Sequence, residues 1–228
     1  MNEIFLDNVY MGTVVSIAAY ISGEMLKKKF KFVNPLLMAI ILIIVLLQVL
    51  GIDYEVYNNG AKYITYLLTP ATVCLAIPLY RQINVLKSHF KEIIIGICSG
   101  VAASMGSIFV MAKLFALSHE QYVTLLPKSI TTAIGTDLSV EMGGISTITI
   151  AVIVITGVLG NLIAERILKL FKITNPVAKG LAIGTAAHAI GTSKAMEIGK
   201  IEGAMSSLSI VVAGLVTVAA ASFFANLV

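Results

Sequence analysis

Apolar residues run along this chain in long unbroken blocks, not in the alternation of a half-buried strand or the stripe of an amphipathic helix. Residues 8–23, 35–50, 63–80, 93–112, 145–164 and 203–228 contain no Asp, Glu, Lys or Arg. A bilayer-crossing helix needs about 20 mostly apolar residues, and one charge at mid-membrane costs about 2.5–3.5 kcal/mol. Each window therefore predicts a membrane segment. A transmembrane barrel would show short alternating strands, which the run from Ile40 to Leu47 contradicts. The pattern predicts an all-α polytopic membrane protein of about seven or eight segments.

Composition agrees. Of 228 residues, 58% are hydrophobic and 12% charged, with a mean hydropathy of +0.95. A typical soluble domain carries about 25% charged residues, so an ordinary soluble enzyme, a disordered chain and a basic nucleic-acid-binding face are excluded. The whole chain, 1–228, is expected to form one integral membrane domain in the lipid bilayer. The acidic start, with Glu3 and Asp7, does not read as a cleaved signal. Cys74 and Cys98 lie in apolar windows and read as packing residues, with no metal site and no cofactor.

Loops rich in Lys and Arg stay in the cytoplasm. The run Lys27-Lys28-Lys29-Phe30-Lys31 puts that end inside and the N-terminus outside. Arg81, Lys87 and Lys91 mark a second inner end, and Arg166, Lys169, Lys172 and Lys179 a third. Ser118-His119-Glu120 then falls outside, so residues 122–144 enter and leave by one face as a re-entrant hairpin. Segments 177–196 and 203–228 are expected to cross in turn and return the C-terminus to the cytoplasm. Sliding the chain by half its length matches 35–51 with 149–165, 63–80 with 177–194 and 93–112 with 207–226, in opposite directions. That spacing predicts an inverted repeat with halves of roughly 1–114 and 115–228.

Three segments carry breakers and hydroxyls that an inert span does not need. Pro70 and Pro78 remove backbone donors and free nearby carbonyls, which makes Thr69 and Pro70 candidates for ion coupling. The stretch from Pro127 to Asp137 holds Lys128, Ser129, Thr131 and Thr132, a ligand loop in character. The stretch from Gly180 to Lys194 holds Gly191, Thr192, Ser193 and Lys194 around His188. An ionisable side chain at membrane depth is costly and marks a functional site by default. Gly96 and Gly100, with Ser104 a turn further on, read instead as a helix-packing face. Lys128-Ser129 and His188 could also suggest a membrane enzyme, but no companion triad, HExxH, P-loop or CxxC accompanies them.

The run Leu67-Leu68-Thr69-Pro70-Ala71-Thr72-Val73-Cys74-Leu75-Ala76-Ile77-Pro78-Leu79-Tyr80 resembles the LrgB/CidB family of bacterial membrane proteins. So do Leu125-Leu126-Pro127-Lys128-Ser129-Ile130-Thr131-Thr132 and the longer Gly184-Thr185-Ala186-Ala187-His188-Ala189-Ile190-Gly191-Thr192-Ser193-Lys194. The resemblance extends over nearly the whole chain. It departs at Ala133 and Ser146, where the family pattern usually has proline. The resemblance implies a multi-pass protein of the bacterial cytoplasmic (inner) membrane that acts with a small LrgA/CidA-like partner. It implies either antiholin-like control of murein hydrolase activity and lysis, or transport of small monocarboxylates such as pyruvate, glycolate or glycerate.

Broken helices with internal symmetry favour transport. A carboxylate leaving water needs positive partners. The expected substrate-binding set is Lys128, Ser129, Thr131, Thr132, His188, Gly191, Thr192, Ser193 and Lys194. His188, with a usual pKa of about 6.5, is the expected proton carrier. A homodimer is expected.

Overall fold

The computed structural model describes residues 10–30 and 33–228, so the acidic start and Lys31 lie outside the described residues. The chain is helical and divides into two units, Met1–Cys74 and Leu75–Val228. Four stretches among the described residues are long and apolar enough to cross a membrane: Tyr54–Arg81, Phe90–Phe115, Ser146–Leu170 and Lys200–Ala225.

The first unit holds α1 (Met11–Lys29), α2 (Pro35–Leu50), α3 (Tyr54–Tyr66) and α4 (Leu68–Cys74). Asn34 starts α2 by accepting from the Leu37 N–H, with Pro35 at the first helical position, where its missing donor costs nothing. Gly51 ends that helix at φ 62°, a conformation that favours glycine. α1 packs on α2 and α3. Thr13 Oγ1 donates to the Gly60 carbonyl at 2.7 Å, and Ser16 shares a hydrogen bond with the Tyr57 hydroxyl at 2.6 Å.

The second unit holds α5 (Ala76–Arg81), α6 (Ile83–Ser88), α7 (Phe90–Leu114), α8 (His119–Leu125), α9 (Thr132–Glu141), α10 (Ser146–Leu170), α11 (Pro176–Ile198) and α12 (Lys200–Ala225). Pro70 and Pro78 each stand third in a short helix, α4 and α5, so the prolines cut the apolar run into new helical starts. Ile93, Ile97, Val101, Met105, Ile108 and Ala112 recur at helical spacing on α7 and are buried. They join Ala204, Met205, Ala213 and Ala221 of α12 in the core.

Two helical hairpins enter this unit from opposite ends. The first is α8, a turn at 126–131, and α9. At its base the Ile145 N–H donates to Thr124 Oγ1 at 2.8 Å, while Thr149 Oγ1 donates to the Thr124 carbonyl at 3.0 Å and bonds Ser139 Oγ at 2.7 Å. Residues 124, 139 and 149 therefore share one level, and the segment is the re-entrant hairpin predicted from charge.

The second hairpin is α11 itself. At His188 the backbone takes φ 41° and ψ −136°, and the chain reverses. A Cβ placed on Gly191 would lie 3.1 Å from the Ile183 carbonyl oxygen. Eight residues apart on one continuous helix, the two would be separated by about 12 Å. Ile183 and Ala195 share a buried cluster with Leu168, against which Ile173 and Ile198 pack, so both arms return to the same end. The expectation that 177–196 crosses the membrane is thus corrected: 176–187 enters and 189–198 leaves by the same face.

α12 then starts where α11 started. Gly180 lies against Glu202 and Gly184 against Ser206, which puts α12 parallel to the entering arm. The Tyr122 hydroxyl donates to the Phe224 carbonyl at 2.9 Å, and His119 Nδ1 lies 2.9 Å from the Val228 carbonyl oxygen. The C-terminus therefore sits at the end holding His119, opposite the lysine-rich end. The expected cytoplasmic C-terminus is corrected with it.

These elements form an inverted repeat inside the second unit. α7 and the first hairpin correspond to α10 and the second, with His119 and Pro176, and Glu141 and Ile198, each 57 residues apart. α10 runs from the base of one hairpin, at Thr149, to the base of the other, where Glu165 meets Lys194. This period is shorter than the half-chain register read from spacing. Ala133 and Ser146 both fall in the first turn of a helix, where the N–H that proline lacks has no intrahelical partner.

Candidate functional site at the hairpin tips

The turn at 126–131 is held at depth by buried Leu126, Pro127 and Ile130. That fixes Lys128 and Ser129 against α7. Lys128 Nζ donates to Ser104 Oγ at 3.3 Å and to Ser129 Oγ at 3.1 Å, and Ser104 Oγ donates to Ser129 Oγ at 2.9 Å. On the entering arm of α11, Thr185 is 6% exposed and its hydroxyl is without a hydrogen-bond partner. Gly100 of α7 makes room for it, because any Cβ there would strike the Thr185 methyl.

Proton counting shows what this arrangement lacks. An ammonium has three N–H donors, and Lys128 spends two on serines. The Ser129 oxygen accepts from both Lys128 and Ser104, so its own proton needs an acceptor elsewhere. The Thr185 proton is also unmatched. The tips thus offer donors in excess of acceptors, and a buried unmatched donor costs about 1–3 kcal/mol. A small anion presents acceptors and no donors, the complement of this set. Lys128 and Thr185 are themselves equivalent in the repeat, 57 residues apart, so the site lies where the two halves meet.

These residues line a cleft of about 1140 Å³ bounded by α7, α10 and α11. It runs from His89, Glu92 and Asn175 at the lysine-rich end to Lys128 and Ser129 at the tip. Beside it is a void of about 10 Å³ bordered by Ser104, Ser129, Thr185 and Thr217, room for about one water.

The other expected residues have different neighbours. Thr131 stands at the N-cap of α9 and Thr132 begins it. His188 is buried, its Nε2 3.1 Å from the Ile153 carbonyl oxygen and its ring against Gly157. A ring nitrogen facing a carbonyl carries the proton, which assigns the Nε2–H form or the doubly protonated ring. Thr192 Oγ1 donates to the His188 carbonyl at 2.9 Å and bonds Ser206 Oγ at 2.8 Å. Asn161 donates to the Ile190 carbonyl and to Ser193 Oγ. Gly191 packs on Ile183.

Lys194 is neutralised by Glu165 at 2.7 Å and Glu197 at 3.1 Å, which ties the leaving arm to α10. Thr69 and Pro70 lie exposed in α4 of the first unit. Among the described residues, no group of three or more His, Cys, Asp or Glu is placed to hold a metal ion.

Sequence reading missed Ser104, Thr185 and Thr217. Ser104 was visible only as the end of a small-residue stripe. The stripe does pack, since Gly96 meets Leu181, but its last member turns toward the ligand loop.

Comparison with known proteins gives a match to the LrgB-like family over residues 16–227. Antiholin-like protein LrgB of Bacillus subtilis (strain 168) is 40% identical over 222 residues, covering 96% of each chain. Proteins of the same name from Bacillus cereus (strain B4264) and Bacillus anthracis (strain CDC 684 / NRRL 3495) are 39% identical over 218 residues, covering 94% of this chain and 95% of theirs. No solved structure matches.

Proposed function

The chain belongs to the LrgB-like family, and from that premise we propose that it is a secondary transporter of small monocarboxylates, such as pyruvate, glycolate or glycerate. The observation that carries this reading is the donor surplus of Lys128, Ser129 and Thr185 at the end of an open cleft. A carboxylate brings two oxygens with about four lone-pair sites, enough for every unmatched proton. Its single charge matches Lys128, whose described hydrogen bonds go only to hydroxyls. The cleft reaches the lysine-rich end, so the site is open toward the cytoplasm by the charge rule. Transport is coupled to a proton carried by His188. The protein works as a homodimer with an LrgA/CidA-like partner in the bacterial cytoplasmic membrane, and it is not an enzyme.

The name of the relatives supports a second reading, antiholin-like control of murein hydrolase activity and lysis. Uptake separates the two. Reconstituted protein is expected to accumulate labelled pyruvate or glycolate saturably, with Lys128→Ala lowering uptake at least about tenfold and Thr185→Val about fivefold. Dye release without saturable uptake of any small carboxylate would overturn transport in favour of lysis control.

A further inference from the structure

A second polar pocket lies at the base of the α11 hairpin, away from the cleft tip. Lys169, Lys172, Lys179 and Thr174 surround about 570 Å³ whose apolar floor is Leu168, Ile173 and Ile198. Its one acid, Glu165, is shared between Lys194 at 2.7 Å and Lys169 at 3.8 Å, and neither Lys172 nor Lys179 draws on it. The three ammonium groups therefore exceed the available negative charge.

The rim is built rather than loose. Lys172 sits at φ 53°, a left-handed conformation that non-glycine residues rarely adopt. It is pinned there by Lys172 N–H donating to the Lys169 carbonyl at 3.1 Å and Ile173 N–H to the Leu168 carbonyl at 2.8 Å. Ile173 in turn packs against Leu168 and Ala195.

The position matters as much as the charge. α10 has 25 residues and a length of about 37 Å, so its last turn reaches the headgroup layer on the cytoplasmic side. An apolar floor beneath a cationic rim at that depth matches a phosphodiester with acyl chains attached, better than a fully hydrated ion.

We propose that this pocket binds the phosphate of an anionic phospholipid. The lysines hold the phosphate, Thr174 donates to one of its oxygens, and the glycerol and upper acyl carbons cover Leu168, Ile173 and Ile198. Occupancy ties α10 to the start of α11 at the hinge of the cytoplasmic hairpin. This site is separate from the carboxylate site and stands or falls without it.

The test uses the full chain in nanodiscs of phosphatidylcholine with graded phosphatidylglycerol, read by native mass spectrometry and thermal unfolding. The wild type is expected to retain phosphatidylglycerol and to gain thermal stability from it. Lys169→Gln/Lys172→Gln/Lys179→Gln, checked for folding by size exclusion, should bind it at least about tenfold more weakly. Lys28→Gln/Lys87→Gln/Lys91→Gln removes the same charge elsewhere on the cytoplasmic side and should bind as the wild type does. Equal binding by the first variant and the wild type, or equal loss in both variants, would overturn the site. Inorganic phosphate added to pure phosphatidylcholine discs is the second arm. Protection by it equal to that from the lipid would overturn the lipid as the source.

Discussion

At His188 the backbone angles are the mirror image of the extended region, territory that glycine enters freely and other residues enter at about 1–3 kcal/mol. The ring offsets that strain by bonding the Ile153 carbonyl and filling the space over Gly157. Removing the ring while keeping a Cβ retains the strain and loses the compensation. His188→Ala is therefore expected to be destabilised by about 2–3 kcal/mol, and His188→Gly by about 1 kcal/mol less; thermal unfolding in detergent compares them. The proton-carrier role proposed for His188 needs a different substitution. Glutamine keeps an N–H donor for Ile153 but does not titrate. His188→Gln should fold and flatten the dependence of uptake on pH between about 5.5 and 8, the range where histidine changes charge. A wild-type pH profile in that variant would leave His188 a purely structural turn residue.

The α11 hairpin is stabilised by backbones that approach closely. Gly180 and Gly184 lie directly against α12, and a Cβ on Gly184 would come within 2.8 Å of Ser206 Cα. Gly184→Leu must push the hairpin off α12, at an expected cost of about 1–3 kcal/mol or more. Gly106→Ala on α7 meets nothing within 4 Å and should gain about 0.5–1 kcal/mol through helix propensity. Fluorescence-detected thermostability distinguishes the two.

This hairpin also marks the limit of what the sequence made legible. The charge-free windows, the breakers at Pro70, Pro78 and Pro127, and the first hairpin all followed from charge and turn chemistry. The second hairpin did not, because Ala186-Ala187-His188-Ala189-Ile190 is compatible with one continuous helix. Its reversal has no proline or glycine at the turn itself. What specifies it is close tertiary packing at Gly180, Gly184 and Gly191, and glycines at such spacing serve equally well in a straight packed helix. The site was half legible for the same reason. Lys128 and Ser129 announce themselves in a polar loop, whereas Thr185 becomes part of the site only once α11 folds back and faces α7.

For the whole molecule, reversing α11 inverts everything after it. With 176–198 entering and leaving by the lysine-rich face, α12 must run outward, and Val228 ends beside His119. The basic residues at the opposite end, Lys91, Arg166, Lys169, Lys172, Lys179 and Lys200, put that end in the cytoplasm. The C-terminus and the Ser118 loop are then both outside. This geometry also gives the two hairpins opposite access. On the transport reading proposed above, the first hairpin is the outer gate and the second, which borders the open cleft, is the inner gate that must move to close it. Single cysteines in a background with Cys74 and Cys98 replaced by serine test the arrangement. Asn226→Cys and Ser118→Cys should react with a membrane-impermeant maleimide in intact cells, and Lys172→Cys only after lysis. Protection of Asn226→Cys alongside labelling of Ser118→Cys would mean that α12 runs inward and that α11 crosses the membrane after all. Joint protection of both, with Lys172→Cys labelled, would keep the fold and invert its orientation in the membrane.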